Sequence, residues 1–411
     1  MLRRSILLAV ALAAVVALPA QARYRAPCLG AGKGGPKCFF WNAKVISIKD
    51  GDTLSVDVDG GGRHEVRVRT TAIQAMEQSV YAKDPSRRRG ECHALEATSR
   101  FEQLVNRSHK RIKLSAQDPK STSLGRLRRT VWVRYKGHWT SVGSILISEG
   151  HALWLPLGGS EWAWNATYDK LGQEARQKGR NLWNPAYCGA GPQQDVPLRM
   201  WINWDPMGVD EKEPHAEWVK IENESPSATL SLGGWWFRSA DYPRLHIPAG
   251  TTLAPGAILT IYTDHGRNTN SSLYWNYDKP QWGNPVDKTH EGDAGYLFDP
   301  QGDMRLAAQY PCLVACADPL DGTIRLRVEP SGSEYTDVTN VSGSEVNLFT
   351  YDIRAQGYVH FFGQNAVLQP GETLRVNVDG GPFFPNPGGD VTFENWQGRR
   401  IACDAWGSGH C

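Results

Sequence analysis

Asp50-Gly51-Asp52, Arg69, Gln74 and Glu77 are the polar residues of this 411-residue chain whose types and spacing most invite a chemical reading. The run Glu65–Thr71, "EVRVRTT", alternates like a β-strand and carries Arg67 and Arg69 on one face, and "IQAMEQ" follows at Ile73–Gln78. Carboxylates and amide carbonyls are the oxygen donors that hard divalent cations take. A guanidinium forks onto planar oxyanions. A carboxylate just past a strand can accept a proton from water. Each residue also has a plainer role: Asp-Gly favours a hairpin turn, alternating arginines line a solvated strand face, and Glu77 can cap a helical turn.

The elements around these residues follow from periodicity. "AKVISIKD", "TLSVDVDG" and "HEVRVRTT" between residues 40 and 72 have period two and are separated by Gly-rich turns, predicting a β-meander or small barrel. "CHALEATSRFEQLVN" (92–106) predicts an amphipathic helix with Leu95, Ala97, Phe101, Leu104 and Val105 on its apolar stripe. A hairpin over 130–142, helical "SILISEG" ending at Gly150 and a helix over 168–179 complete an α+β unit. "GAGPQQDVP" (189–197) reads as a linker.

Charge divides the chain. Residues 23–190 hold 28 Lys+Arg against 15 Asp+Glu, while residues 191–411 hold 15 against 28, so a net of +2 conceals a basic half and an acidic half. A basic half is expected to meet a polyanion. His64, His93, His109 and His138 have no metal-ligand spacing and read as surface residues. The N-terminus has Arg3-Arg4, a 13-residue apolar run from Ile6 to Leu18, and small residues at Ala20 and Ala22. It reads as a signal peptide removed near Ala22, giving a secreted protein; spanning a membrane needs about 20 apolar residues, and no transmembrane segment is expected in the mature chain. Eight cysteines then favour disulfides. Their positions suggest Cys28–Cys38, Cys92–Cys188, Cys312–Cys316 and Cys403–Cys411, although spacing alone does not fix connectivity.

"VISIKDGDTLSV" (45–56), "VRVRTTAIQAME" (66–77), "RTVWVRYKGHWTSVGSILISEGHALW" (129–154) and "NLWNP" (181–185), in that order, resemble a staphylococcal nuclease (thermonuclease) domain over about residues 40–188. The resemblance implies a five-stranded OB-like barrel with three helices that hydrolyses phosphodiesters of DNA or RNA with bound Ca2+. It assigns Asp52 as a metal carboxylate, Glu77 as the residue that positions or deprotonates the attacking water, and Arg69 as the phosphate-binding fork. Two positions fit the family's second arginine: Arg126, after Gly125, and Arg129, before Thr-Val-Trp, with a slight preference for Arg129. The family has a metal-binding aspartate and a proline where this chain has Gln74 and Met76. One negative charge is lost from the site, so weaker Ca2+ binding is expected. In the extreme the domain binds nucleic acid without cutting it.

Beyond residue 198 the chain repeats itself. Glu217, Asn223, Pro255-Gly256 and Gly302 recur in order as Glu334, Asn340, Pro370-Gly371 and Gly398. Short alternating strands with Gly/Pro turns predict immunoglobulin-like sandwiches. The Glu-aromatic-x4-Asn strand and Pro-Gly turn resemble lamin-tail domains, implying binding or anchoring modules whose ligand is unknown. The expectation is thus a multidomain chain: a signal peptide (1–22), an α+β OB-like β-barrel nuclease domain (40–188), a linker (189–197), and two all-β lamin-tail-like sandwiches (198–317 and 318–411), the second diverged. An extracellular adhesion or structural protein is the competing reading. Trp235, Trp236, Trp275 and Trp282 are expected in sandwich cores.

Overall fold

The computed structural model describes residues 24–28, 35–58, 65–78, 90–157, 161–189, 191, 193–206, 217–240, 244–284, 292–378, 383–384 and 387–411. The expected signal peptide, His64 and most of the basic run at 86–90 therefore lie outside the described residues. The N-terminal unit runs β1 (Tyr24–Pro27), β2 (Lys37–Ile48), β3 (Thr53–Val58), β4 (Glu65–Thr70), β5 (Ile73–Ala75), α1 (Ala94–Arg107), β6 (Arg111–Ala116), β7 (Thr122–Ser123), β8 (Arg126–Tyr135), β9 (His138–Ser141), α2 (Val142–Ser148), β10 (Ala152–Trp154) and α3 (Asn165–Gln177). Five strands in the order β2-β3-β4-β8-β6 close into a barrel because β6 returns to pair with β2. Alternation sends Val45, Leu54, Val56, Val68, Ile112, Leu114, Val131 and Val133 into its core. The α1 stripe consists of Ala94, Ala97, Phe101, Leu104 and Val105. Leu95, assigned to that stripe from the sequence, is 67% exposed, because at 3.6 residues per turn it falls opposite Ala97. The hairpin of β8 and β9 turns at Lys136-Gly137, both with positive φ (49° and 84°).

Two sandwiches follow. The first comprises β11 (Leu198–Asn203), β12 (Trp218–Asn223), β13 (Leu230–Ser231), β14 (Trp236–Ser239), β15 (Arg244–His246), β16 (Thr252–Leu253), β17 (Ile258–Tyr262), β18 (Ser272–Tyr274), β19 (Asp293–Phe298) and β20 (Met304–Tyr310). The second comprises β21 (Ile324–Glu329), β22 (Tyr335–Asn340), β23 (Val346–Asn347), β24 (Tyr351–Ala355), β25 (Tyr358–Phe361), β26 (Val367–Leu368), β27 (Thr373–Asn377), β28 (Gly388–Asn395) and β29 (Arg400–Gly407). Sheets β11-β12-β17-β18 and β15-β14-β19-β20 of the first correspond to β21-β22-β27 and β25-β24-β28-β29 of the second. The repeated residues do the same work in both copies. Asn223 Nδ2 donates to the carbonyls of Ala228 and Leu253, and Asn340 Nδ2 to those of Ser344 and Leu368. The Glu217 carboxylate accepts the N–H groups of Gln281 and Trp282, and Glu334 those of Phe383 and Phe384. Trp235, Trp275 and Trp282 lie in the core of the first sandwich as expected, whereas Trp236 is buried on its outer face, against the barrel.

The four disulfides pair as the spacing suggested. The barrel and the first sandwich share an apolar cluster in which Met76, Ala94, Leu153 and Leu182 meet Trp236, Tyr296 and Phe298. Cys92 N–H donates to Gly302 O at 2.8 Å, and the Asp169 carboxylate on α3 accepts from Leu313 and Val314 beside the Cys312–Cys316 bridge. The sandwiches join through Arg354 on Asp205 and Trp204 Nε1 on Trp396 O. No helix among the described residues is long and apolar enough to cross a membrane.

Candidate active site

The site begins with a turn. Asp50 Oδ1 accepts the N–H groups of Asp52 (3.0 Å) and Thr53 (2.7 Å), closing a tight bend between β2 and β3. Gly51 fits this bend because a Cβ there would stand 2.6 Å from Ala75 Cβ and 3.0 Å from Ala97 Cβ. Asp52 is delivered to the mouth of the barrel opposite β4, where Thr53 is registered against Arg69. The Asp52 carboxylate is buried; Oδ1 accepts from Arg69 and from Thr53 Oγ1, and Oδ2 from Ala75 N–H at 2.9 Å.

β5 brings the next residues to the same place by pairing with β10, Gln74 facing Leu153. Arg69 also donates to Gln74 Oε1 (2.6 Å) and to Ile73 O (3.2 Å), and Gln74 Nε2 in turn donates to Glu77 Oε1 (3.3 Å). Asp52, Arg69, Gln74 and Glu77 therefore form one continuous polar chain. The Glu77 carboxyl is pushed up to about 7, first by burial and then by the Asp52 charge, with the Arg238 and Arg69 guanidiniums opposing. Asp50 is pushed up to about 6 by burial and by Asp52.

A second carboxylate, unforeseen from the sequence, lies beneath Glu77. Glu91 Oε2 accepts the backbone N–H of Glu77 at 2.8 Å. Both Glu91 oxygens are held by Arg238 of β14, Nε at 2.8 Å and Nη2 at 2.9 Å, and Arg244 of β15 adds a bond at 3.3 Å. Glu91 and Arg238 are both buried. Burial pushes Glu91 up, but the Arg238 guanidinium outweighs it and holds the carboxyl below its usual range. No sequence signal joins two residues 147 positions apart.

Residues 67–185 match the family model of the staphylococcal nuclease homologues, and residues 203–311 match the Lamin Tail Domain. No curated protein matches the chain. The chain carries a staphylococcal nuclease homologue domain followed by a lamin tail domain. The nuclease match begins at Arg67, so Asp52 lies upstream of the matched segment although it faces Arg69 in the barrel. The second sandwich shares the first one's strand order but lies outside the lamin-tail match.

Within the nuclease homologue domain the two candidate second arginines separate. Arg126 Nη1 donates to Thr53 Oγ1 at 3.2 Å, and Arg126 lines a small cavity of about 50 Å³ with Arg69, Gln74, Arg128 and Ala240. Arg129 points elsewhere: it is buried over the ring of Trp41 and donates to the carbonyls of Ser121, Arg128 and Pro119. Burial lowers its proton affinity to about 10. The sequence preference for Arg129 thus rested on a neighbouring motif, whereas strand alternation turns Arg129 away from the face that carries Arg126. His93 also departs from the surface reading, being buried with Nε2 2.8 Å from His151 Nδ1.

Asp52, Gln74 and Glu77 offer carboxylate and amide oxygens on facing segments of the nuclease homologue domain, a hard donor set of the kind Ca2+ takes. The Arg69 guanidinium bonds to the Asp52 and Gln74 oxygens, so a cation would share them with a resident positive group. Among the described residues, two other groupings of potential ligands, around Cys92/Cys188/Asp303 and Asp169/Cys312/Cys316, use sulfurs committed to disulfides.

Proposed function

We propose that this protein is a secreted, Ca2+-dependent nuclease that hydrolyses phosphodiesters of DNA or RNA at the barrel mouth, with the C-terminal sandwiches as binding or anchoring modules for a ligand of unknown class. The observation that supports this reading best is the hydrogen-bonded chain from Asp52 through Arg69 and Gln74 to Glu77. A half-buried carboxyl near 7 is poised to exchange a proton at neutral pH. Glu77 takes the proton of water as the water oxygen bonds to phosphorus; the bond to the leaving oxygen breaks and that oxygen takes up a proton. Arg69 and Arg126 supply N–H groups to the phosphoryl oxygens, whose charge grows in the transition state. Asp52 and Gln74 would hold Ca2+, which when bound polarises the phosphate. Secretion is supported by four disulfides, a chemistry of oxidising compartments.

Gln74 and the Arg69–Asp52 pair favour one second reading, a protein that binds nucleic acid without cutting it. Plasmid digestion with Ca2+ or chelator separates the two. Cleavage that needs Ca2+ and is lost in Glu77→Gln supports the nuclease; cleavage that survives Glu77→Gln overturns the assignment of the base. Binding without cleavage, weakening steeply with salt, supports the second reading.

A further inference from the structure

We propose that Arg238, a residue of the lamin tail domain, is a positioning residue for the nuclease reaction, holding the backbone of Glu77 in place through Glu91; this rests on the reading of Glu77 as the base. The contact path is short, and its Glu91–Arg238 pair is fully buried. Arg238 grips Glu91 through two nitrogens, and the same Glu91 oxygen that meets Arg238 Nη2 also accepts the Glu77 N–H. Arg238 is itself fixed from the far side, its guanidinium over the rings of Tyr296 (4.7 Å) and Phe298 (5.2 Å) of β19. Trp236, two residues earlier on β14, stacks on Phe298 in the cluster that includes Met76, the residue next to Glu77. The lamin tail domain thus reaches the catalytic loop by an ion pair and by apolar packing at adjacent points.

This arrangement answers a local difficulty. Where the family has a proline before the glutamate, this chain has Met76, so the backbone loses a covalent restraint on φ. The Glu91 carboxylate supplies a non-covalent one, and it needs a fixed cation to remain ionised while buried. Among the described residues, the charged groups facing Glu77 are Asp52 beyond the β2–β3 bend, Arg69 on β4, Glu91 ahead of α1 and Arg238 on β14. Asp52 and Glu91 raise its proton affinity, and Arg69 and Arg238 lower it.

The test uses the full chain with Arg238→Gln, Arg238→Lys and, as a control of similar instability, Leu259→Ala in the lamin-tail core. Cleavage of an oligonucleotide is followed from pH 5 to 9, and amide hydrogen exchange is followed for a peptide containing Glu77. Misplacing a catalytic group by about 1 Å costs on the order of 100-fold. Arg238→Gln is therefore expected to lower kcat about 10- to 100-fold with KM within about twofold, and to speed exchange at Glu77. Arg238→Lys should restore part of kcat. A wild-type kcat in Arg238→Gln, an equal loss in Leu259→Ala, or unchanged exchange at Glu77 overturns the proposal. Absence of cleavage by the wild-type protein would sink the nuclease reading instead, and the exchange comparison would still decide whether Arg238 orders Glu77.

Discussion

Gln74 donates an amide N–H to the carboxylate of Glu77 at 3.3 Å, a bond that no carboxylate at position 74 could make. Its carbonyl oxygen meanwhile takes an N–H of Arg69. The amide therefore serves both neighbours, which an aspartate, an acceptor only, would not. Gln74→Glu keeps the length of the side chain and adds a charge. It should lower the Ca2+ concentration needed for half-maximal cleavage about tenfold, and place a like charge beside Glu77. A Ca2+ titration of cleavage checks this; an unchanged Ca2+ requirement would remove Gln74 from the cation site.

Activity should titrate with Glu77. Its carboxyl stands at about 7, and the base acts ionised, so the rate should fall about tenfold per pH unit below that value. The stability change has the opposite sense. The folded value lies above the ordinary 4.5, so the folded state binds more protons than the unfolded one between those values. The Glu77 contribution is therefore full at low pH and is lost as pH rises through about 7. Glu77→Gln should abolish cleavage and flatten that part of the stability profile, as read by denaturant unfolding at several pH values.

The buried Glu91–Arg238 pair should be costly to break from one side. Glu91→Gln or Arg238→Met should each destabilise by about 3–5 kcal/mol, because an unpaired charge or donor set is left buried. Glu91→Leu with Arg238→Met together should recover most of that loss while leaving cleavage impaired. Guanidinium melts of the single and double variants measure the coupling; additive losses would mean the two side chains do not depend on each other.

Arg126 and Arg129 should fail differently. Arg126→Ala removes a guanidinium beside Thr53 and Arg69, and should cut kcat about 100-fold with the melting temperature little changed. Arg129→Ala removes a donor from three carbonyls, of which Ser121 O keeps the Arg128 N–H, and uncovers Trp41, costing about 2–4 kcal/mol, with cleavage per folded molecule unchanged. Kinetics alongside thermal melts separate the cases; the reverse pattern would restore Arg129 to the site.

What the sequence disclosed was what depends on nearest neighbours. Period-two runs gave the barrel strands, and the repeated Glu217/Glu334 and Asn223/Asn340 announced two sandwiches whose bonding turned out to be the same. Asp52, Arg69, Gln74 and Glu77 were legible through the family resemblance of the segments 45–56 and 66–77, which hold all four within 26 positions of one another. The three-residue strands β5 and β10 were not, since among the described residues each has only the other as its strand partner, across 77 positions of chain. The direction of the Arg129 side chain was not legible because it depends on which face of β8 is buried, nor was that of Leu95, because a one-residue error in helix phase turns a side chain by about 100°. Glu91 sat in plain view beside Cys92, but its meaning came from Arg238, which only folding brings near.

The location of Arg238 also sets an order in time. A chain emerging N-terminus first presents Asp52, Arg69 and Glu77 long before residue 238 has been made. Until the lamin tail domain has folded against the barrel, Glu91 lacks its cation and the Glu77 N–H its fixed acceptor. Nuclease competence would then be among the last properties the polypeptide acquires, and a copy cut short after the barrel would be a poor enzyme.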